Sequence, residues 1–128
     1  LKQTAQIFRN WGIPTAYNIK ILREQYKDLT IIGTGGIRNG LMVAKACALG
    51  ASTVGIGLPL MQAALISSQE VVKTLQRFEK ELVMTMMATG SRSLEELSHR
   101  LVAHTPYETE FLSKMYKPSS FKNAHEYK

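Results

Sequence analysis

Residues 29–58, LTIIGTGGIRNGLMVAKACALGASTVGIGL, constrain this chain more than any other stretch. Leu29-Thr30-Ile31-Ile32 is short, β-branched and continuously apolar. Runs of that kind belong to strands covered on both faces, as in parallel sheets. Gly33-Thr34-Gly35-Gly36 reads as a turn, residues 41–49 as an alanine-rich helix apolar nearly all round, and Gly50 as its stop. Residues 52–56 read as a second buried strand, ended by Gly57. Strands joined through a helix run parallel, and the crossover is expected to be right-handed. Both glycine turns then fall at the same end of the sheet.

The flanking segments read as helices. Leu1, Ala5 and Phe8 keep helical spacing, Gly12 and Pro14 interrupt it, and Ile19, Leu22 and Tyr26 resume it in a short amphipathic helix. Trp11 is expected to pack beneath that turn. Pro59 opens a helical segment over residues 60–66, and Ser67 with Glu70 makes a capping box. From Val71 through Leu75, Phe78, Leu82 and Val83 to Met87 an apolar stripe at helical period marks a long helix ending at Gly90, its methionines filling core. Ser93 with Glu96 repeats the capping box before a short helix through Leu97 and Leu101. Beyond His104 the chain turns polar and is broken by Pro106 and Pro118. Residues 1–103 therefore read as one folded part and residues 104–128 as a tail.

Composition excludes several function classes. With 45% hydrophobic residues the chain can bury a core. No apolar run nears the roughly 20 residues of a membrane helix, and Leu1-Lys2-Gln3-Thr4 starts no apolar signal core. The single Cys47, among alanines, is expected to be a small buried hydrophobe in a reducing, cytoplasmic compartment. The net charge of +6 is thinly spread: residues 1–40 carry six basic and two acidic side chains, and residues 70–100 five of each. No lysine or arginine run and no aromatic platform accompany it, so nucleic-acid binding is not expected, whereas an anionic small ligand suits it. His99, His104 and His125 lie apart, without cysteine or carboxylate partners at metal spacing.

Glycine turns let a ligand approach the backbone, because no Cβ stands in the way. A helix starting just after such a turn offers N–H groups to a phosphate, and Arg38 adds charge at the same end. Two tight strand-to-helix turns with no ligand would account for a lone GxG, but here two turns follow neighbouring strands. The pattern is not the dinucleotide fingerprint, since Arg38 stands where the third glycine belongs, and no GKS or GKT makes it a P-loop. It fits the phosphate-binding loops after the last two strands of a (β/α)8 barrel.

GTGGIRNGLMVAKACALGASTVGIGLPLMQAA resembles the C-terminal barrel segment of type 2 isopentenyl-diphosphate isomerases, which depend on FMN. WGIPT upstream and ELVMTMMATGSRSLEEL downstream agree in order, so the resemblance spans about residues 5–101. It implies an α/β fold, the last two strands and closing helices of a (β/α)8 barrel. FMN phosphate would be held by Gly35, Gly36, Ile37 and Arg38 after one strand, and by Gly57 and Leu58 after the next. Thr34, Met42 and Ile56-Gly57 depart from the serine, aspartate and Met-Ala usual in that family. The implied reaction interconverts isopentenyl and dimethylallyl diphosphate, with reduced FMN as acid/base, Mg2+ on the diphosphate and NAD(P)H supplying electrons.

Such a barrel needs about 250 residues, and this sequence has 128. The family's histidine-glutamine-glutamate segment and flavin-ring lysine have no counterpart here, so no residue is assigned a catalytic or metal-binding role. The remaining N-terminal barrel is expected from elsewhere, and the chain alone is expected to be inactive and to self-associate as a homo-oligomer or to be only marginally stable. The alternatives are another FMN-barrel oxidoreductase, of the α-hydroxy-acid oxidase or IMP dehydrogenase type, and a non-catalytic assembly module.

Overall fold

The structure is a computed structural model and describes residues 6–8 and 11–98. In chain order these form α1 (Thr15–Gln25), β1 (Ile32–Thr34), α2 (Gly40–Ala48), β2 (Thr53–Gly55), α3 (Leu58–Ala64), α4 (Ser68–Thr89) and α5 (Leu94–Leu97). The tail after His104 and all three histidines lie outside the described residues.

β1 and β2 pair in parallel, Ile32 opposite Thr53, Gly33 opposite Val54 and Thr34 opposite Gly55. The first strand therefore sits later than its apolar run suggests: Leu29 and Thr30 are exposed, and Gly33 and Thr34 belong to the strand rather than to the turn. Two contacts set this register. The Ile31 carbonyl accepts from the N–H groups of Ser52 and Thr53 at 2.8 and 3.3 Å. The Ile31 N–H donates to Ser52 Oγ at 3.1 Å. A Cβ on Gly33 would lie 2.8 Å from Ile19 Cδ1 and 3.2 Å from the Ala51 methyl, so the strand needs a glycine facing the helices. Its other face is open, with Ile32 63% exposed, and the expected cover on both faces is not supplied by the described residues.

The core lies between the sheet and α1, α2, α4 and α5, and is built on Ile19, Ile31, Val43, Ala44, Phe78 and Leu97. Cys47 belongs to it, and burial pushes its thiol pKa up, as expected of a small inert hydrophobe. Arg23 ties the end of α1 to the end of α2. Its Nε donates to the Gly50 carbonyl at 2.9 Å, Nη2 to Ser52 Oγ at 3.2 Å, and Nη1 to the carbonyls of Tyr26 and Lys27.

The long helix is capped as its sequence suggests. Ser67 Oγ accepts from the Glu70 N–H at 3.2 Å, and Gly90 ends the helix in the left-handed region at φ 65°. The Glu70 carboxylate pairs with Lys73 at 2.5 Å, so the serine supplies the cap. Ser93 Oγ likewise accepts from the Glu96 N–H at 3.2 Å.

Two expectations about packing fail. Trp11 is 81% exposed and meets Phe8 edge to face at 6.1 Å instead of lying beneath the turn. Met84 and Met87 are 68% and 75% exposed, and only Phe78 of the α4 stripe is buried, with Leu82 and Met86 packed against the core. The cause is geometric: α4 packs on α2, α3 and α5, and the stripe is wider than the flank they cover.

Where α2 meets α4 the backbones touch. A Cβ on Gly40 would stand 2.3 Å from the Phe78 carbonyl oxygen and 2.5 Å from the Leu82 nitrogen. Gly40→Ala must push the two helices apart, and we expect it to cost about 1–3 kcal/mol in urea denaturation. An unchanged midpoint would contradict this close approach.

Candidate functional site

Because Thr34 stands opposite Gly55, the segments after β1 and β2 leave the sheet side by side. Thr34 Oγ1 donates to the Gly55 carbonyl at 3.3 Å, and Thr15 Oγ1 donates to the Thr34 carbonyl at 3.2 Å. These two hydroxyls bind the N-terminus of α1 and both strand ends into one layer. The sequence marks Thr34 as standing where the resembling family has a serine; Thr15 was not singled out, although a threonine at the start of a helix after Pro14 was the available signal.

The first turn runs through Gly35, Gly36, Ile37, Arg38 and Asn39. Gly35 has φ 97°, and its Cβ position lies 2.9 Å from Thr15 Oγ1, so it faces α1. Gly36 has φ 81° with nothing within 4 Å of its Cβ position. Ile37 is buried and anchors the turn in the core. Arg38 is exposed and makes no ion pair with the described residues. Among the described residues the N–H groups of Gly36, Ile37 and Arg38 have no protein acceptor.

The start of α2 is not the anion site that the bare sequence suggests. Its first N–H, on Gly40, donates to Glu81 Oε2 at 2.7 Å, and the Met42 N–H donates to Asn39 Oδ1 at 2.9 Å. Asn39, immediately before a helix, carried an N-cap signal that went unread. Among the described residues the donors left without a protein acceptor here are those of the turn and the Leu41 N–H.

The second turn is shorter. Gly57 is the N-cap of α3 and Pro59 falls in its first turn, so that position offers no N–H. The Leu60 and Met61 N–H groups donate to the Gly57 carbonyl at 3.1 and 3.0 Å. Gly57 and Leu58 are therefore the open donors here. Gly57 has φ −102°, and nothing lies within 4 Å of its Cβ position. Of the six residues singled out, Gly36, Ile37, Arg38, Gly57 and Leu58 present backbone to the shared end of the sheet, and Gly35 shapes the turn against α1. Open space at the Cβ positions of Gly36 and Gly57, with N–H groups in both segments unpartnered among the described residues, leaves the backbone accessible to a small ligand.

The larger cavity, about 620 Å³, lies at the opposite end of the sheet beside Arg23, Gly50, Ser52 and Glu95. Arg23 is engaged there by four protein acceptors. A cavity of about 200 Å³ behind the first turn is lined by Ile19, Gly36, Met42 and Leu49 among others. The described residues contain no cluster of three His, Cys, Asp or Glu able to hold a metal, and no helix long and apolar enough to cross a membrane.

Gly36→Ala forces a side chain into a left-handed conformation, and we expect a loss of about 1–2 kcal/mol in urea denaturation. Gly57→Ala, at negative φ, should stay within about 0.5 kcal/mol of the parent. Equal losses would contradict the assigned turn geometries.

Comparison with known proteins identifies the family. The sequence profile of the FMN-dependent dehydrogenase family matches residues 13–104. The chain is 43% identical over 97 residues to an isopentenyl-diphosphate delta-isomerase of Methanocaldococcus jannaschii, covering 76% of this chain and 27% of that protein. It is 41% identical over 111 residues to the enzyme of that name from Methanothrix thermoacetophila, covering 87% and 30%. A Legionella pneumophila protein of the same name is 44% identical over 98 residues, covering 77% and 29%. The chain thus spans less than a third of the length of these relatives. Among solved structures, an arginine-to-lysine variant of flavocytochrome b2 superposes with TM-score 0.56 at 27% identity, over 80% of this chain and 30% of that one. A sulfite-bound flavocytochrome b2 variant gives TM-score 0.56 at 28% identity, over 80% and 29%.

Proposed function

The chain belongs to the FMN-dependent dehydrogenase family, and from that premise we propose that its two glycine turns grip the phosphate of FMN in an isopentenyl-diphosphate isomerase. The observation that carries the reading is the pairing of Thr34 with Gly55, which sets two donor-lined glycine openings side by side. The Gly36, Ile37 and Arg38 N–H groups would donate to phosphate oxygens from one side, and those of Gly57 and Leu58 from the other. The Arg38 guanidinium adds a fixed charge. Buried Ile37 and the Thr15 and Thr34 hydroxyls hold the donors in place before any ligand arrives, which lowers the ordering cost of binding.

Bound there, reduced FMN would supply the acid/base for interconversion of isopentenyl and dimethylallyl diphosphate, maintained by NAD(P)H and joined by Mg2+ on the diphosphate. No described residue is assigned to that chemistry. In this reading β1 and β2 are the last two strands of a (β/α)8 barrel, and the other strands, with the substrate and metal residues, come from an N-terminal barrel segment outside these 128 residues. That segment would cover Ile32 and the open sheet edges, and without it the chain is inactive and prone to self-association. A reducing, cytoplasmic setting suits the unpaired Cys47.

The flavocytochrome b2 likeness favours a second reading, an FMN oxidoreductase of the hydroxy-acid oxidase type. Identity of 41–44% to isomerases against 27–28% to flavocytochrome b2 supports the first. Oxidation of a 2-hydroxy acid by the complete protein, without isomerase activity, would reverse that order.

Flavin fluorescence anisotropy tests the grip itself. We expect saturable binding of FMN, weaker binding of riboflavin, which has no phosphate, and loss of FMN binding in Gly36→Asp. Arg38→Ala should weaken FMN binding about tenfold, the worth of one charged hydrogen bond. Equal affinity for FMN and riboflavin would overturn the assignment.

A further inference from the structure

We propose that Glu81 is a positioning residue for the phosphate grip: from α4 it fixes Gly40, and through Gly40 the row of donors on Gly36, Ile37 and Arg38. The inference rests on the FMN-phosphate reading and deepens it. Glu81 lies on α4 next to Leu82, which packs against the core, and its side chain is 32% exposed. Its Oε2 accepts the Gly40 N–H at 2.7 Å, the length of a charge-assisted bond, and Oε1 stands 3.9 Å from an Arg77 Nη1.

The contact is built from both sides. Gly40 sits so close to the Phe78 carbonyl and the Leu82 nitrogen that only glycine fits, which brings its N–H within reach of Glu81 one turn along α4. The glycine turn is thereby held at three places: by Thr15 and Thr34 where it leaves β1, by Ile37 in the core, and by Glu81 where it enters α2. Of these, the Glu81 tether spans 41 residues and is the one that couples the turn to α4.

Position and charge act together. A carboxylate already occupies the first N–H of α2, and Asn39 occupies the third. The Leu41 N–H between them stays open among the described residues, but beside Gly40 an incoming phosphate would meet like charge, which favours the donors of the turn. Glu81 therefore sets where along the segment the phosphate sits, without touching it.

The test compares Glu81→Ala and Glu81→Gln with the parent chain, titrating FMN and riboflavin by flavin anisotropy and following amide hydrogen exchange. Glu81→Ala should weaken FMN binding on the order of tenfold and leave riboflavin binding unchanged. Glu81→Gln, whose amide oxygen can still accept from Gly40, should stay within about twofold of the parent for FMN. The Gly40 amide, which loses its acceptor, should exchange faster in Glu81→Ala, with the Leu60 amide, bonded to the Gly57 carbonyl, unaffected. Parallel loss of FMN and riboflavin binding, or unchanged exchange at Gly40, would overturn the role. A parent preference for FMN that survives Glu81→Ala would overturn this inference alone, and a parent with no such preference would overturn it together with the phosphate reading.

Discussion

The parallel pairing of Ile32–Thr34 with Thr53–Gly55 is the constraint from which the rest of the site follows. Parallel strands cannot be joined by a tight turn, so the chain must travel back through α2, and both strands then end at the same edge. Had the pair been antiparallel, the two glycine segments would lie at opposite ends and share no ligand. Each strand is only three residues long, so the ladder itself contributes little. The register is fixed by side contacts: Ser52 Oγ on the Ile31 N–H, Thr34 Oγ1 on the Gly55 carbonyl, and Gly33 fitted against Ile19 and Ala51.

Electrostatics at this edge are settled by which donors remain. Helix α2 points its N-terminus toward the turn, and on dipole grounds alone an anion belongs there. Glu81 and Asn39 already fill that place. The turn donors, the Leu41 N–H and Arg38 remain without a protein partner among the described residues, which is the opening the proposed phosphate would use. The contrast with the other end of the sheet is instructive: the larger cavity has a guanidinium too, but Arg23 spends its hydrogen bonds on closing α1 against α2.

Much of this was legible in the sequence. The order strand, glycine turn, helix, strand, glycine turn was readable because Gly50, Gly57 and Gly90 punctuate it and the alanines of α2 leave room for close packing. The caps at Ser67 and Ser93 follow from a serine three residues before a glutamate. What escaped was set by partners distant in sequence. The strand moved toward Thr34 because β2 chose the register, which the run LTII could not reveal. Trp11 and the α4 methionines read as core by composition, yet burial depends on a neighbour being present. Glu81 carries no signal of its own in the sequence, and only the approach of Gly40 to α4 brings it to the start of α2.

The exposed apolar residues Ile32, Leu58, Met61 and Leu65 gather on elements flanking the site, and a surface of that kind calls for a cover, which the proposed barrel supplies. The central claim, that the two turns form one phosphate site, is tested most directly by a two-dimensional amide NMR titration of the chain with FMN. The account predicts that the largest shifts fall together on Gly36, Ile37, Arg38, Gly57 and Leu58, with one common affinity. Shifts confined to one turn, or centred on Arg23, Lys27 and Ser52 at the far end of the sheet, would contradict it.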